Sequence, residues 1–274
     1  MKRVVGSRST FMLVMGLLSL VYAFPLIWMA WSSFKTNREI FTTPLALPNT
    51  IDFSSWREAW RVGHLGRYAL NSTIVTAAAV LVILAVAAMA AYAFSRFHFR
   101  GKGVLMGLFA VGLLMPLQSY FIAQNSLFEV LNLKDTRLAL IIPYAGMGLP
   151  LAVYLLKVYL DSLPRELFEA ARVDGSGDAR MFTSLVLPLL RPGLATVAIF
   201  SALSAWNEFL LALLYVTNDA LKTIPTGLLA FSSRYVTDYQ LLFSALTIVT
   251  LPMVAVYVTF HRQIVAGVIE GALK

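Results

Sequence analysis

Six long apolar runs constrain what this chain can fold into. They lie near residues 11 to 31, 73 to 94, 104 to 123, 138 to 156, 193 to 216 and 240 to 260, and each is long enough to cross a bilayer as a helix. Together they carry a single formal charge, Glu208. With 59% hydrophobic residues and a mean hydropathy of +0.75, the chain has too little polar surface to cover a soluble globule. The expected fold is therefore an all-α membrane protein with six transmembrane helices. The absence of cysteine excludes disulfides and thiolate chemistry.

The first run follows Met1, Lys2 and Arg3, the pattern that opens a signal peptide. Its apolar core is longer than a signal peptide needs and no small-residue cleavage site follows, so residues 11–31 read as a retained first span. Six spans put both termini on one side. With the N-terminus inside, that side holds 13 of the 22 basic residues, which favours cytoplasmic termini in a bacterial plasma membrane. The expected layout is a cytoplasmic segment 1–10, an extracytoplasmic loop 32–72, a permease domain 68–262 and a cytoplasmic tail 263–274. The pI near 9.8 follows from this topology, and nucleic-acid binding is a poor explanation of it.

Residues 157–192 form a charged island between apolar runs. It carries Lys157, Arg165, Arg172, Arg180 and Arg191 against Asp161, Glu166, Glu169, Asp174 and Asp178. A polar island of this kind is where a membrane protein meets something soluble. Asp161 or Ser162 is placed to cap a helix with Pro164 in its first turn, and Gly175 to end it, so a helix is expected over 163–174. Its smooth face would hold Leu163, Leu167, Ala170 and Ala171. A second short helix, 178–187, is expected to stop near Pro188.

The island also carries a spaced pattern: Glu169-Ala170-Ala171, three residues, Gly175, nine residues, Leu185, one residue, Leu187-Pro188. It resembles the EAA signature of the membrane subunits of bacterial ATP-binding-cassette importers, with Leu185 in place of isoleucine. Other strings are similar to the carbohydrate-uptake branch of that family. They include Trp31 to Lys35 with Glu39 to Phe41 and prolines at 44 and 48, Met115 to Gln118, and Leu140 to Tyr144 with Gly148-Leu149-Pro150. Ala205 to Phe209 and the tail Arg262 to Gly267, followed by Gly271 and Lys274, belong to the same set. The resemblance runs over almost the whole chain and is nearest to the second permease of a heterodimeric pair, of the maltose or glycerol-phosphate type.

The resemblance implies a type I importer permease fold with a cytoplasmic coupling helix seated in a separate ATPase. Glu169, Ala170, Ala171, Asp174, Gly175, Leu187 and Pro188 inherit the coupling role. The implied partners are a homologous second permease, two ATPase subunits that hold ATP and magnesium, an extracytoplasmic solute-binding protein and a sugar-like substrate. The chain itself carries no phosphate-binding glycine loop with lysine, no cofactor and no catalytic cluster, so it reads as a non-enzymatic subunit. His64, His98 and His261 show no metal-ligand spacing.

A polar path must cross the apolar helices. Ser201, Ser204, Asn207 and Glu208 fall within about 120° of one another at about 100° per residue, a stripe at the depth where transporters place their sites. An ionised Glu208 at mid-span costs about 2.5 to 3.5 kcal/mol, so it should face protein or water. Trp206 points away from this stripe, while Phe200 and Tyr215 lie nearer to it. Ser244, Thr247 and Thr250 repeat at a spacing of three in the last run. Substrate contact and helix packing are both open for Asn207 and Glu208 and for the last-span hydroxyls. Pro116, Pro143, Pro150 and Pro252 are expected to interrupt spans, and Gly146, Gly148 and Pro150 make the fourth span the expected hinge. A second reading is a proton-coupled secondary transporter that uses Glu208.

Overall fold

The computed structural model describes the backbone of residues 2–116, 119–232 and 237–272, with side chains from residue 10 to 259 inside those bounds except residue 256. Leu117 and Gln118 of the string at 115–118, and the side chains of the tail at 263–274, lie outside the described residues. The helices run α1 Lys2–Ser32, α2 Asn37–Thr42, α3 Ser54–Val62, α4 Leu65–Arg96, α5 Lys102–Leu114, α6 Phe121–Val130 and α7 Leu138–Asp161. They continue as α8 Glu166–Val173, α9 Asp178–Met181, α10 Leu187–Leu189, α11 Arg191–Asn207, α12 Leu210–Tyr215, α13 Ile224–Gly227 and α14 Tyr239–Ala272.

Among the described residues, helix covers most of each of the six apolar runs, but not equally continuously. Within α1, α4, α7 and α14 there are uninterrupted stretches of spanning length. The third run is split: α5 ends at Leu114 because Met115, the residue before Pro116, takes an extended conformation (φ −71°, ψ 120°), and α6 follows. The fifth run breaks at Glu208 (φ −69°, ψ 126°) between α11 and α12. The other expected interruptions are absent, because α7 passes through Pro143 and Pro150 and α14 through Pro252 without a break. The helix α4 starts at Leu65, so the end of the expected loop 32–72 is already helical.

The chain divides into two compact units, Met1–Arg67 with Gly227–Ala255, and Tyr68–Thr226 with Val256–Lys274. In the first, a loop after α1 is held by local chemistry. Thr36 caps α2 and Glu39 returns the bond to the Thr36 amide, a reciprocal capping box. Lys35 is buried and donates to the carbonyls of Thr43 and Pro44 at 2.9 and 3.0 Å, at the other end of α2, where carbonyls lack helical partners. Thus the charged residues of the string at 31–41 close one short helix at both ends. Ala59, Leu65, Phe231 and Ala245 form the small core of this unit.

The second unit has two apolar cores. One gathers Ile83, Ala87, Ala91, Val153, Leu156 and Val197 from α4, α7 and α11. The other gathers Val75, Leu140, Tyr144, Leu211 and Tyr215. Alanines on α4 let neighbouring helices approach closely, and Gly148 of α7 goes further: a Cβ there would stand 2.5 Å from Ile83 Cδ1.

A carboxylate outside the spans ties this unit's loops together. Asp135 accepts from the Thr217 hydroxyl at 2.7 Å and from the Thr217 and Asn218 amides at 2.6 and 2.7 Å. The Thr217 hydroxyl and the Asn218 amide are the main influences holding its carboxyl below the ordinary aspartate range. A lowered folded value means the clip's contribution is complete above the ordinary value of about 3.9 and is lost as pH falls through the lower one. The protection of the Thr217 and Asn218 amides, relative to their intrinsic exchange at each pH, should therefore hold down to about pH 4 and fall only below it. Loss of protection already between about pH 5 and 4 would contradict this.

Candidate functional site

The charged island folds differently at its start from the sequence expectation. Asp161 is the last residue of α7 and accepts from the Ser95 hydroxyl at 2.6 Å and from Lys157, four residues earlier in the same helix. The Ser162 hydroxyl donates to the Tyr159 carbonyl at 2.7 Å. Neither is available as a cap. The next helix, α8, begins at Glu166 after an uncapped Arg165, not at 163, and Glu166 and Glu169 in its first turn complement its dipole.

Its end follows the sequence closely. Gly175 has φ +78°, the left-handed conformation that glycine takes at no steric cost. The Ser176 amide donates to the Ala171 carbonyl and the Gly175 amide to the Arg172 carbonyl, both at 3.0 Å, the paired bonds of a Schellman termination. The spacing from Ala171 to Gly175 in the signature is thus the spacing of a helix stop.

The faces of α8 also differ from expectation. The side chain turned inward is Phe168, only 7% exposed, with Leu163 and Ala171 packed against the same core. Leu167 and Ala170 are exposed, as are Glu169, Asp174 and Gly175. Arg96 of α4 lies 3.6 Å from the centre of the Phe168 ring. Beyond Gly175, helical structure does not stop at Pro188. It passes from α9 through a π turn, Phe182–Val186, into α10, with the Leu187 amide reaching back to the Phe182 carbonyl. This one-residue slip, placed just before the proline, is the wider turn that lets helix continue past it. The path then bends by 71° into α11. Leu185 and Leu187 pack into the core, and Pro188 is exposed.

A second polar feature lies within the spans of the same unit. A narrow cleft is lined by Ile83, Tyr144, Gly148, Ser201, Ser204 and Glu208, with a volume of about 20 Å³, room for about one water. Glu208 occupies the break between α11 and α12. Its Oε1 accepts from the Leu211 amide at 2.8 Å, and its Oε2 accepts from the Ala212 amide at 3.2 Å and the Tyr144 hydroxyl at 2.8 Å. An interrupted helix at bilayer depth leaves amides that hydrocarbon cannot satisfy, and this carboxylate satisfies two of them.

Residues 83–270 match the family described as the binding-protein-dependent transport system inner membrane component. The chain belongs to that family. It is a non-catalytic permease subunit of an ATP-binding-cassette importer, a multi-pass inner-membrane protein whose ATPase is a separate subunit and which works with a solute-binding protein. It is 36% identical over 261 residues to the diacetylchitobiose uptake system permease protein NgcG of Streptomyces coelicolor, covering 93% of this chain and 85% of that one. It is 33% identical to the trehalose/maltose transport system permease protein MalG of Thermococcus litoralis, covering 96% of each. In fold it resembles a chain of a bacterial ABC transporter involved in the import of the acidic polysaccharide alginate, with a TM-score of 0.81 at 20% identity over 95% of this chain and 96% of that one.

Four other residues expected on the polar path do not line this cleft. Asn207 donates to the Leu203 carbonyl of its own helix at 2.8 Å and does not line the cleft. Tyr215 is fully buried, and its hydroxyl donates to Gln124 at 2.9 Å beside the Phe128 ring. Ser244 and Thr247 belong to the other unit. Both are buried there, with their hydroxyls donating to the Gln240 and Phe243 carbonyls. The expected path is thus divided: Ser201, Ser204 and Glu208 meet in one cleft, and Asn207, Tyr215, Ser244 and Thr247 do not line it. Phe168 is not singled out by the sequence, and Tyr144 only as the end of the string Leu140 to Tyr144. An aromatic immediately before Glu169 was the available signal for Phe168.

Proposed function

We propose that this permease forms one half of the pathway for a sugar or related polar solute, pairs with a homologous second permease, and rests on two ATPase subunits through α8. Its termini are cytoplasmic. The observation that carries the coupling role is the division of α8. Phe168 anchors it inward, while Glu169, Ala170 and Gly175 present a small, acidic-edged outer surface that another protein can approach closely. The carbohydrate class rests on relatives named for the uptake of diacetylchitobiose and of trehalose or maltose.

Ser201, Ser204 and Glu208 lie on the pathway in this reading. The cleft they line is far smaller than the several hundred cubic ångströms that small-molecule sites occupy, which supports a pathway completed by the second permease. The apolar window of α1 is unburied within the chain and supports the same arrangement, since lipid or another chain must cover it. Nucleotide closes the ATPase pair, α8 moves with the cleft that holds it, and the spans shift between inward-facing and outward-facing populations. Proton-coupled transport through Glu208 would instead predict uptake driven by a pH gradient. The three donors already on its carboxylate support a capping duty.

Co-purification of the tagged chain from native membranes tests the assembly. An ATPase subunit and a second permease should accompany the native chain, and the ATPase should be lost from a Glu169→Lys, Gly175→Asp double variant. Recovery of the chain alone in both cases would overturn the reading.

A further inference from the structure

A single guanidinium at the end of α4 touches three helices at once. Arg96 Nη2 donates to the Leu160 carbonyl at 2.6 Å, in the last turn of α7, where carbonyls lack helical partners and cations are favoured. The neighbouring Ser95 hydroxyl reinforces the junction by donating to Asp161. The guanidinium carbon of Arg96 sits 3.6 Å from the centre of the Phe168 ring, the inward anchor of α8. Its Nε is buried and has no hydrogen-bond partner among the described residues. It borders a cavity of about 90 Å³ lined also by Tyr92, Glu169, Arg172 and Met181. The charges that act on Arg96 are the attraction of Asp161 and the repulsion of Arg165, and Arg172 on the cavity wall is engaged with Asp178.

We propose that Arg96 is a positioning residue for energy coupling, a latch through which displacement of α8 is passed to the cytoplasmic ends of α4 and α7. This rests on α8 being the ATPase-coupling helix. With Arg96 stacked on Phe168 and bonded to Leu160, α8 cannot move without carrying α4 and α7 or breaking the stack on Phe168. Arg96 and Glu169 line one cavity, so a second arrangement of the guanidinium follows from the proposal, turned from the Leu160 carbonyl toward Glu169. Two discrete arrangements of one contact turn a small displacement into a defined change of state, and each can be biased from the ATPase side.

The absence of cysteine in this chain makes the test clean. A Ser204→Cys variant places one thiol at the cleft, and the assembled importer in proteoliposomes is labelled with a maleimide, with and without Mg-ATP and vanadate. With native Arg96, nucleotide should change the labelling rate by about fivefold or more, the scale of an ordinary allosteric coupling. With Arg96→Met the ratio should collapse toward about one, while the ATPase stays bound and still hydrolyses ATP. Arg96→Lys, which keeps the charge and a donor for Leu160 but loses the planar stack, should restore part of the response. Adding Phe168→Leu to Arg96→Met should change the ratio no further. An undiminished ratio in Arg96→Met would sink the latch. Loss of bound ATPase in both Arg96 variants would also overturn it, making Arg96 a support of the docking surface. A bound ATPase with no nucleotide response in the native-Arg96 importer would instead refute α8 as the coupling helix.

Discussion

Replacing Glu208 by alanine is expected to cost the permease about 3 kcal/mol of stability or more, since three buried donors lose their acceptor and each orphaned group costs about 1 to 3 kcal/mol. Leu211 and Ala212 are fully buried and Tyr144 nearly so, which leaves little water to replace the carboxylate. The thermal midpoint of the purified protein in detergent should fall clearly. Glu208→Gln keeps the shape and one carbonyl acceptor, so its loss should be smaller. A proton-coupling role makes the opposite forecast: Glu208→Gln would abolish uptake while leaving the melting curve near that of the native protein. An unchanged midpoint in Glu208→Ala would remove the capping role assigned to this residue.

Gly148→Ala is expected to destabilise the protein although it replaces glycine inside a helix. That exchange ordinarily stabilises a helix by up to about 1 kcal/mol. Here the new methyl would stand 2.5 Å from Ile83 Cδ1 and 3.3 Å from Ile83 Cγ1. Forcing a methyl into a packed interface costs about 1 to 3 kcal/mol, enough to reverse the sign. Ile83→Val removes the offending Cδ1 at an intrinsic cost of about 0.5 to 1.5 kcal/mol. In that background Gly148→Ala should become nearly neutral, a large positive coupling in a double-mutant cycle. Additive effects would mean that α4 and α7 do not approach at this point.

Much of the segment around α8 is legible in the sequence. Gly175 suits the left-handed turn that ends α8, and the three-residue gap after Ala171 places it one residue before Ser176, whose amide closes on the Ala171 carbonyl. Both are short-range facts. The start of α8 was misread because Asp161 and Ser162 are good caps in isolation, yet a lysine one turn earlier and the Tyr159 carbonyl are nearer partners. The smooth face was misassigned for a related reason. Periodicity groups Leu163, Leu167, Ala170 and Ala171, but it cannot weigh them against a phenylalanine that finds an arginine on α4.

The spans show the same division. The prolines at 116, 143, 150 and 252 look alike in sequence, yet only Pro116 follows a helix end, at the extended Met115, while α7 and α14 run through their prolines. Glu208, conspicuous as the one charge in the apolar runs, was correctly expected to face protein or water. Its capping duty depends on Tyr144, 64 residues away, and on a helix break that exposes the amides it accepts.

The sequence by itself determined the membrane class, the helical runs and the termination of α8, because hydrophobic length, backbone conformation and hydrogen bonds over a few residues are local properties. Only the tertiary structure decided which residue anchors α8, why a side chain at 148 would meet Ile83 and which hydroxyls share a cleft with Glu208. Each of those depends on a partner from a distant segment, and no periodicity in the chain records which partner that is.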